Sequence, residues 1–199
     1  MAKISRAASD PGEKPAYRMP TLETQRVALR PLRTDDVYAI FGFFSDPEVT
    51  RYWSRPPMTH LAQARTLLRA MRDGNRTGER LQFGIERRSD AVLMGTCSLF
   101  NFSPQNRRAE VGYILGRPFW RQGYMHEAMQ RMLSHAFEDL DLVRLEADID
   151  PRNRPSARTL ERLGFVKEGY LRERWIVAEV ISDTELYGLL RREWIRSEP

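Results

Sequence analysis

At 199 residues, 41% of them hydrophobic, the chain is of a size for one globular domain with a substantial core. Its net charge of +5 rests on arginine, since Lys3, Lys14 and Lys167 are the only lysines. That suits an anionic ligand, but the arginines are scattered, without the basic block or aromatic–basic motif that marks nucleic-acid binders. No apolar run approaches the ~18 residues of a membrane span, and the single cysteine, Cys97, rules out an internal disulfide and fits a cytoplasmic protein.

Residues 1–20, rich in Ala, Ser, Pro and charge, read as a mobile tail without a signal-peptide core, leaving 21–199 as the domain. Arg26–Leu32 reads as a strand, after which Thr34 caps a helix running to about Ser45. Asp46-Pro47 breaks that helix, and Glu48 to Pro57 form a loop carrying Tyr52 and Trp53. Thr59 opens a second helix with Leu61, Ala64, Leu67, Leu68 and Met71 on one face, ending at Gly74. Three strands follow, Leu81–Arg87, Leu93–Phe102 and Arg108–Leu115, joined at Ser89-Asp90 and Ser103–Asn106. Cys97 falls in an apolar run and reads as core.

The next stretch, Trp120-Arg121-Gln122-Gly123-Tyr124-Met125-His126-Glu127-Ala128, reads as a strand-to-helix turn. Met125, Ala128, Met129, Met132, Leu133, Ala136, Phe137 and Leu140 then recur at helical spacing, giving one apolar face. A helix N-terminus offers unpaired N–H groups and the positive end of its dipole, and Gly123 lets backbone approach a ligand, so the turn suits a phosphate. An ordinary glycine turn before a core helix is the plainer alternative. Leu142–Ile149 reads as a strand, Ala157 to Leu163 as a short helix closed by Gly164-Phe165, and Phe165–Val177 and Ser182–Leu190 as final strands. The order predicts an α+β fold with a mixed sheet of about seven strands flanked by four helices.

The turn and the Asp150–Phe165 block, in this order and spacing, resemble the GNAT N-acetyltransferase superfamily. Within it they are closest to the ribosomal-protein-acetylating (Rim-type) branch, which acetylates protein N-termini or small amines. Leu22–Leu32 with Asp35-Asp36, Glu168-Gly169-Tyr170-Leu171-Arg172 and Asp183–Leu190 extend the resemblance from Leu22 to Trp194. The superfamily turn reads Gln/Arg-x-x-Gly-x-Gly/Ala; Trp120 and Met125 depart from it in the way the Rim-type branch does. The resemblance implies acetyl-CoA as co-substrate, an amine acceptor (a protein N-terminus or a small molecule), and homodimers as common; the residue pattern itself predicts no membrane and no metal.

Its implications for individual residues follow. Backbone groups of Gln122, Gly123, Tyr124, Met125, His126 and Glu127 would hold the pyrophosphate, and Arg121, Arg117 or one of Arg152, Arg154 and Arg158 the outer phosphate, unless these arginines are simply solvated. Asn153 would touch the pantetheine amides, unless it serves only the turn. Backbone N–H groups of Val111 to Ile114, including Tyr113 and Ile114, would meet the developing oxyanion. A free lysine amine has a pKa near ~10 and an α-amine near ~8, so a base is useful. Glu110 matches the branch's glutamate, and alternation groups it with Gly112 and Ile114, away from Val111, Tyr113 and Leu115. A salt bridge to Arg107 or Arg108 is its alternative role. Leu160 stands where many members carry a thiol-protonating tyrosine, which leaves Ser156 for the sulfur, with N-capping as its alternative role.

Tyr52, Trp53, Phe100, Tyr113 and Trp175 would line the acceptor pocket, or else the core. His60, His126, His135 and Cys97 form no metal-ligand pattern. Two rival readings remain: a non-catalytic coenzyme-A-binding module, and a basic nucleic-acid binder with strongly salt-dependent affinity.

Overall fold

A computed structural model describes residues 18–194, so most of the predicted tail lies outside the described residues. One sheet of eight strands organises the chain: β1 (Leu22–Glu23), β2 (Val27–Pro31), β3 (Leu81–Arg87), β4 (Val92–Ser103), β5 (Arg108–Leu115), β6 (Arg144–Ile149), β7 (Val166–Val177) and β8 (Val180–Leu190). Their order is β1-β2-β3-β4-β5-β6-β8-β7, and every neighbouring pair is antiparallel except β5 and β6. The eighth strand relative to expectation is β1, two residues too short to carry a period of its own.

Five helices cover the sheet: α1 (Val37–Ser45), α2 (Pro47–Thr50), α3 (Leu61–Thr77), α4 (Tyr124–Ser134, continued by a π-turn through Asp139) and α5 (Arg154–Arg162). The additional one, α2, is a single turn inside the predicted loop. Its start is set by Asp46, whose carboxylate accepts from the Glu48 N–H, with Pro47 at the first helical position.

The expected caps shift in an instructive way. Thr34 opens a 3-10 turn ahead of α1 instead, closed by Asp36, whose carboxylate accepts from the Arg33 N–H at 2.6 Å and makes no cap bond to α1 itself. Gln63 rather than Thr59 serves α3, its side chain taking both the Thr59 and His60 amides. That helix also runs past Gly74 to Gly78, which adopts φ +74° at the stop position.

The two sheet faces carry separate cores. On one, α1 and α3 pack Ile40, Phe43, Phe44, Ala64, Leu68 and Met71 against Leu93 and Ile114. On the other, α4 and α5 pack Met129, Met132, Leu133, Phe137, Ala157 and Leu160 against Phe83, Leu99, Val111 and Leu145. Each such fully buried Leu, Met or Phe contributes about 1.5–3 kcal/mol before entropy is counted. Cys97 belongs to this second core and burial pushes its thiol up. Among the described residues, no helix is long and apolar enough to cross a membrane.

A buried ion cluster ties the first strand to the first helix. Arg30, 5% exposed, donates to both Asp36 oxygens at 2.8 and 2.9 Å and to Glu86. Two carboxylates without this guanidinium would be uncompensated in a poorly solvated place. Arg30→Met should therefore destabilise the fold by about 3–5 kcal/mol in urea unfolding; a loss below 1 kcal/mol would mean that the carboxylates find other partners.

Candidate active site

The parallel pair β5–β6 is joined by α4 as a crossover, which is the connection parallel strands require. Their register holds only at Arg108 with Arg144, Ala109 with Leu145 and Glu110 with Glu146. Beyond Glu110 the two strands diverge. From Val111 to Leu115, β5 pairs with β4 along one edge, and among the described residues no strand pairs with the other. Alternate backbone groups of Val111–Leu115 thus face an opening at the C-terminal ends of the parallel strands, where ligands bind in such sheets.

The turn into α4 lies at the end of β5. Gly123 is the N-cap residue, with φ +82°, a conformation that favours glycine. The first intrahelical bond runs from the Glu127 N–H to the Gly123 carbonyl, so the amides of Tyr124, Met125 and His126 precede the helix ladder. Trp120 braces the turn by donating its indole N–H to the Leu115 carbonyl at 2.7 Å, and Gln122 does so by donating to the Pro118 carbonyl.

Glu127 faces the other way. Its carboxylate accepts from the Thr24 hydroxyl at 2.6 Å, the Arg26 N–H at 2.8 Å and the Arg26 guanidinium at 2.6 Å. Burial alone would raise this carboxyl, but those donors outweigh it and hold it below the usual range. The predicted row of open amides therefore ends at His126, and Glu127 latches the turn to β1–β2. His126 is half-buried, its Nδ1 lacks a hydrogen-bond partner among the described residues, and burial followed by the nearby Arg162 charge lowers its pKa.

Residues of α5 close the opening from the β6 side. Asn153 is the cap of this helix, its Oδ1 accepting from the Ser156 N–H at 3.2 Å. Ser156 is thereby released from the capping role considered for it. Its hydroxyl lies 2.7 Å from the Tyr113 hydroxyl, which also reaches the Ser156 carbonyl at 3.3 Å. Sequence reasoning valued Tyr113 for its backbone and as an aromatic wall; its hydroxyl contact spans 43 residues and has no local signature. Arg158 is exposed on the same helix. Arg117 and Arg152 are engaged with Asp46 and Asp150.

Glu110 lies on the opposite sheet face, as alternation required: Val111 joins the α4–α5 core and Ile114 the α1–α3 core. Its carboxylate accepts from the Asn101 side-chain amide at 3.1 Å, not from Arg107 or Arg108, which pair with Asp141 and Glu146. Phe100 stands opposite Glu110 in register and lies over Gly112, where an added Cβ would come within 3.2 Å of its ring. Asp148, from β6, is the missed member of this group. It is reachable by solvent, yet crowding by surrounding protein and then the Glu110 charge raise its pKa, against the pull of Arg174 and the Trp175 indole. Glu110, Phe100, Asp148 and Trp175 are thus brought together. Tyr52 instead meets the Arg152 guanidinium, 6.0 Å from its ring, and Trp53 packs edge-on against Phe44 at 5.4 Å within the α1–α3 core.

The residues present suit a nucleotide thioester. Open amides and an unpartnered His126 nitrogen border a glycine turn that a Cβ would strain, and a strand-lined opening continues from it toward Ser156. A consequence for stability follows from Asp148. Its folded pKa lies above the ordinary 3.8, so the folded state carries the cost of its charge at neutral pH and loses that cost as pH falls through the raised value. Asp148→Asn should raise the melting temperature near pH 7 by more than it does near pH 4. An equal change at both values would remove the crowding argument.

Comparison with known proteins agrees with this geometry. A family model for the acetyltransferase (GNAT) domain matches residues 26–166. The uncharacterized N-acetyltransferase p20 of Bacillus licheniformis is 36% identical over 88% of this chain and 99% of its own length. The ribosomal protein uS5-alanine N-acetyltransferase of Escherichia coli is 24% identical over 87% of this chain and 92% of its own. Among solved structures, Mycobacterium smegmatis RimJ in complex with CoA-disulfide superposes with a TM-score of 0.76 at 26% identity, covering 84% of this chain and 83% of that one. With its sheet parting beside a glycine-led helix, the chain belongs to the GNAT acetyltransferase family and is an N-acetyltransferase.

Proposed function

We propose that this enzyme transfers the acetyl group of acetyl-CoA to a primary amine by direct attack within a ternary complex. The observation that carries the reading is the opening between β5 and β6, flanked by the first turn of α4 on one side and Ser156 on the other. When bound, acetyl-CoA supplies an activated acyl group whose carbonyl accepts a nucleophile. The amides of Tyr124, Met125 and His126, with the turn at Gln122 and Gly123, hold the pyrophosphate against the positive end of α4. Asn153 fixes the start of α5 beside the pantetheine arm, and Arg158 is exposed for the outer phosphate.

A backbone N–H of β5 facing the opening, one of the neighbouring pair Tyr113 and Ile114 since adjacent N–H groups point to opposite edges, stabilises negative charge on the acetyl oxygen. Glu110 takes the proton of the attacking amine, directly or through one water, while Asp148 adds a second negative charge that favours an incoming ammonium group. Phe100 and Trp175 form the apolar walls of the acceptor cleft, with Tyr52 at its rim beside Arg152. Trp53 supports this loop through its contact with Phe44.

A protein N-terminal α-amine is the acceptor class we favour over a lysine side chain. Its ordinary pKa near ~8 leaves far more neutral nucleophile at physiological pH. The name of the ribosomal protein uS5-alanine enzyme points the same way, and a small amine is the alternative acceptor.

The decisive assay is thiol release from acetyl-CoA with a panel of N-terminal peptides and small amines. Coenzyme A binding without acceptor-dependent release would favour the non-catalytic module instead. Glu110→Gln should lower kcat about 10²–10⁴-fold while leaving acetyl-CoA affinity within a factor of two to three, measured by calorimetry. Unchanged turnover would remove it as base. Gly123→Val should weaken acetyl-CoA binding at least tenfold by forcing a β-branched residue into φ > 0 at the turn. Unaltered affinity would mean that the phosphates bind elsewhere.

A further inference from the structure

Tyr113 lies on β5 beyond the last residue paired with β6, and Ser156 lies on the helix that follows β6. Their contact therefore joins the two arms of the parted sheet. The tyrosine packs against the α4–α5 core, and its hydroxyl meets that of Ser156. Ser156 is held by its own N–H, which donates to Asn153; its carbonyl lies 3.3 Å from the Tyr113 hydroxyl, farther than its hydroxyl oxygen at 2.7 Å, so the phenol's single hydrogen is better placed for the latter. Serine in a first helical turn ordinarily spends its hydroxyl on a cap or a nearby carbonyl. Here Asn153 supplies the cap.

Either oxygen of the 2.7 Å contact could be the donor on geometry alone. Chemistry decides between them, because a phenol is a stronger acid and hence a better donor than an aliphatic alcohol. With the Tyr113 hydrogen directed at the Ser156 oxygen, the serine's own hydrogen is left for a third atom, and the first bond polarises the second. Burial also holds the Tyr113 hydroxyl above its ordinary range, so it remains a protonated donor across the working pH. One turn along α5, Leu160 is fully buried and carries no hydroxyl.

We infer that Tyr113 is a positioning residue that makes Ser156 a dedicated hydrogen-bond donor to the sulfur that leaves the acetyl group. This rests on the acetyl-transfer reading above. In the step, the amine nitrogen bonds to the acetyl carbon as the carbon–sulfur bond breaks. The sulfur keeps that electron pair and accepts the Ser156 hydrogen bond. The nitrogen's surplus proton passes to Glu110, and no proton leaves Ser156 or Tyr113. The thiolate later takes its proton from water.

The test titrates the thiol of coenzyme A bound to the protein, followed by thiolate ultraviolet absorbance, in the wild type, Tyr113→Phe, Ser156→Ala and the double variant. Calorimetric coenzyme A affinity and melting temperature serve as controls. Ser156→Ala should raise the bound thiol's pKa, and Tyr113→Phe should raise it by a smaller amount in the same direction. Tyr113→Phe should also lower kcat roughly three- to tenfold with little change in acceptor KM. The double variant should match Ser156→Ala alone, since Tyr113 acts only through the serine.

The inference is overturned if Tyr113→Phe leaves the bound thiol's titration unchanged, or if it lowers kcat by the same factor with Ser156 already absent. Ser156→Ala changes a half-buried helix position, and a bound thiol that titrates in that variant as it does in the wild type overturns the inference even if Tyr113→Phe does not fold. A complex showing the expected thiol shift that acetylates no amine would sink the acetyl-transfer reading while supporting this one. Amine acetylation with the thiol unaffected by Tyr113→Phe would do the reverse.

Discussion

Everything at the site depends on where β5 and β6 stop pairing. Three register positions hold them together, and after Glu110 the strands separate. Buried backbone groups left without a strand partner must be satisfied by something else, so a gap of this kind persists only where a ligand or water can enter. Because the strands are parallel, both point their C-terminal ends toward the gap. The helix that follows each one, α4 or α5, therefore begins beside it. One topological choice delivers two helix starts and the edge of a strand to the same place.

Side chains are then distributed by strand alternation. Even-numbered positions of β5 put Glu110 on the face occupied by α1 and α3, while odd-numbered Tyr113 looks toward α5. An acceptor entering from one face and a thioester lying along the gap can thus be served by different residues of a single strand. Two carboxylates, Glu110 and Asp148, lie close together at that face, and their mutual repulsion is only partly offset by Arg174. An unfavourable arrangement of this kind is common at enzyme sites, which agrees with the role proposed for Glu110, and stability comes from features such as the Arg30 cluster elsewhere.

Features with a local signature were legible in the chain. The bounds of β3 and β5, the apolar stripe of α4, the two faces of β5 and the glycine at the turn all follow from periodicity or backbone geometry over a few residues. Caps were read less well, because Thr34, Thr59 and Ser156 are all good capping residues and the choice fell to Asp36, Gln63 and Asn153. Several side chains within reach compete for the same orphan amides, and packing selects among them. What stayed hidden were contacts between distant segments: Tyr113 with Ser156, Asp148 beside Glu110, and Glu127 turned toward Thr24 and Arg26. Each joins elements that only the folded sheet makes neighbours.

The Glu127 contact has a bearing on how the chain responds to its ligand. It fastens the ligand-facing turn to the outermost hairpin of the sheet, a two-residue strand and its partner, which is the kind of element that frays first. Thermodynamic reciprocity then runs both ways. If the turn holds the pyrophosphate as proposed, fraying of that margin lets the amides drift and weakens that hold, and an anion held there shields the margin's amides from hydrogen exchange. A hairpin 101 to 103 residues away in sequence would become a reporter of occupancy, through one carboxylate.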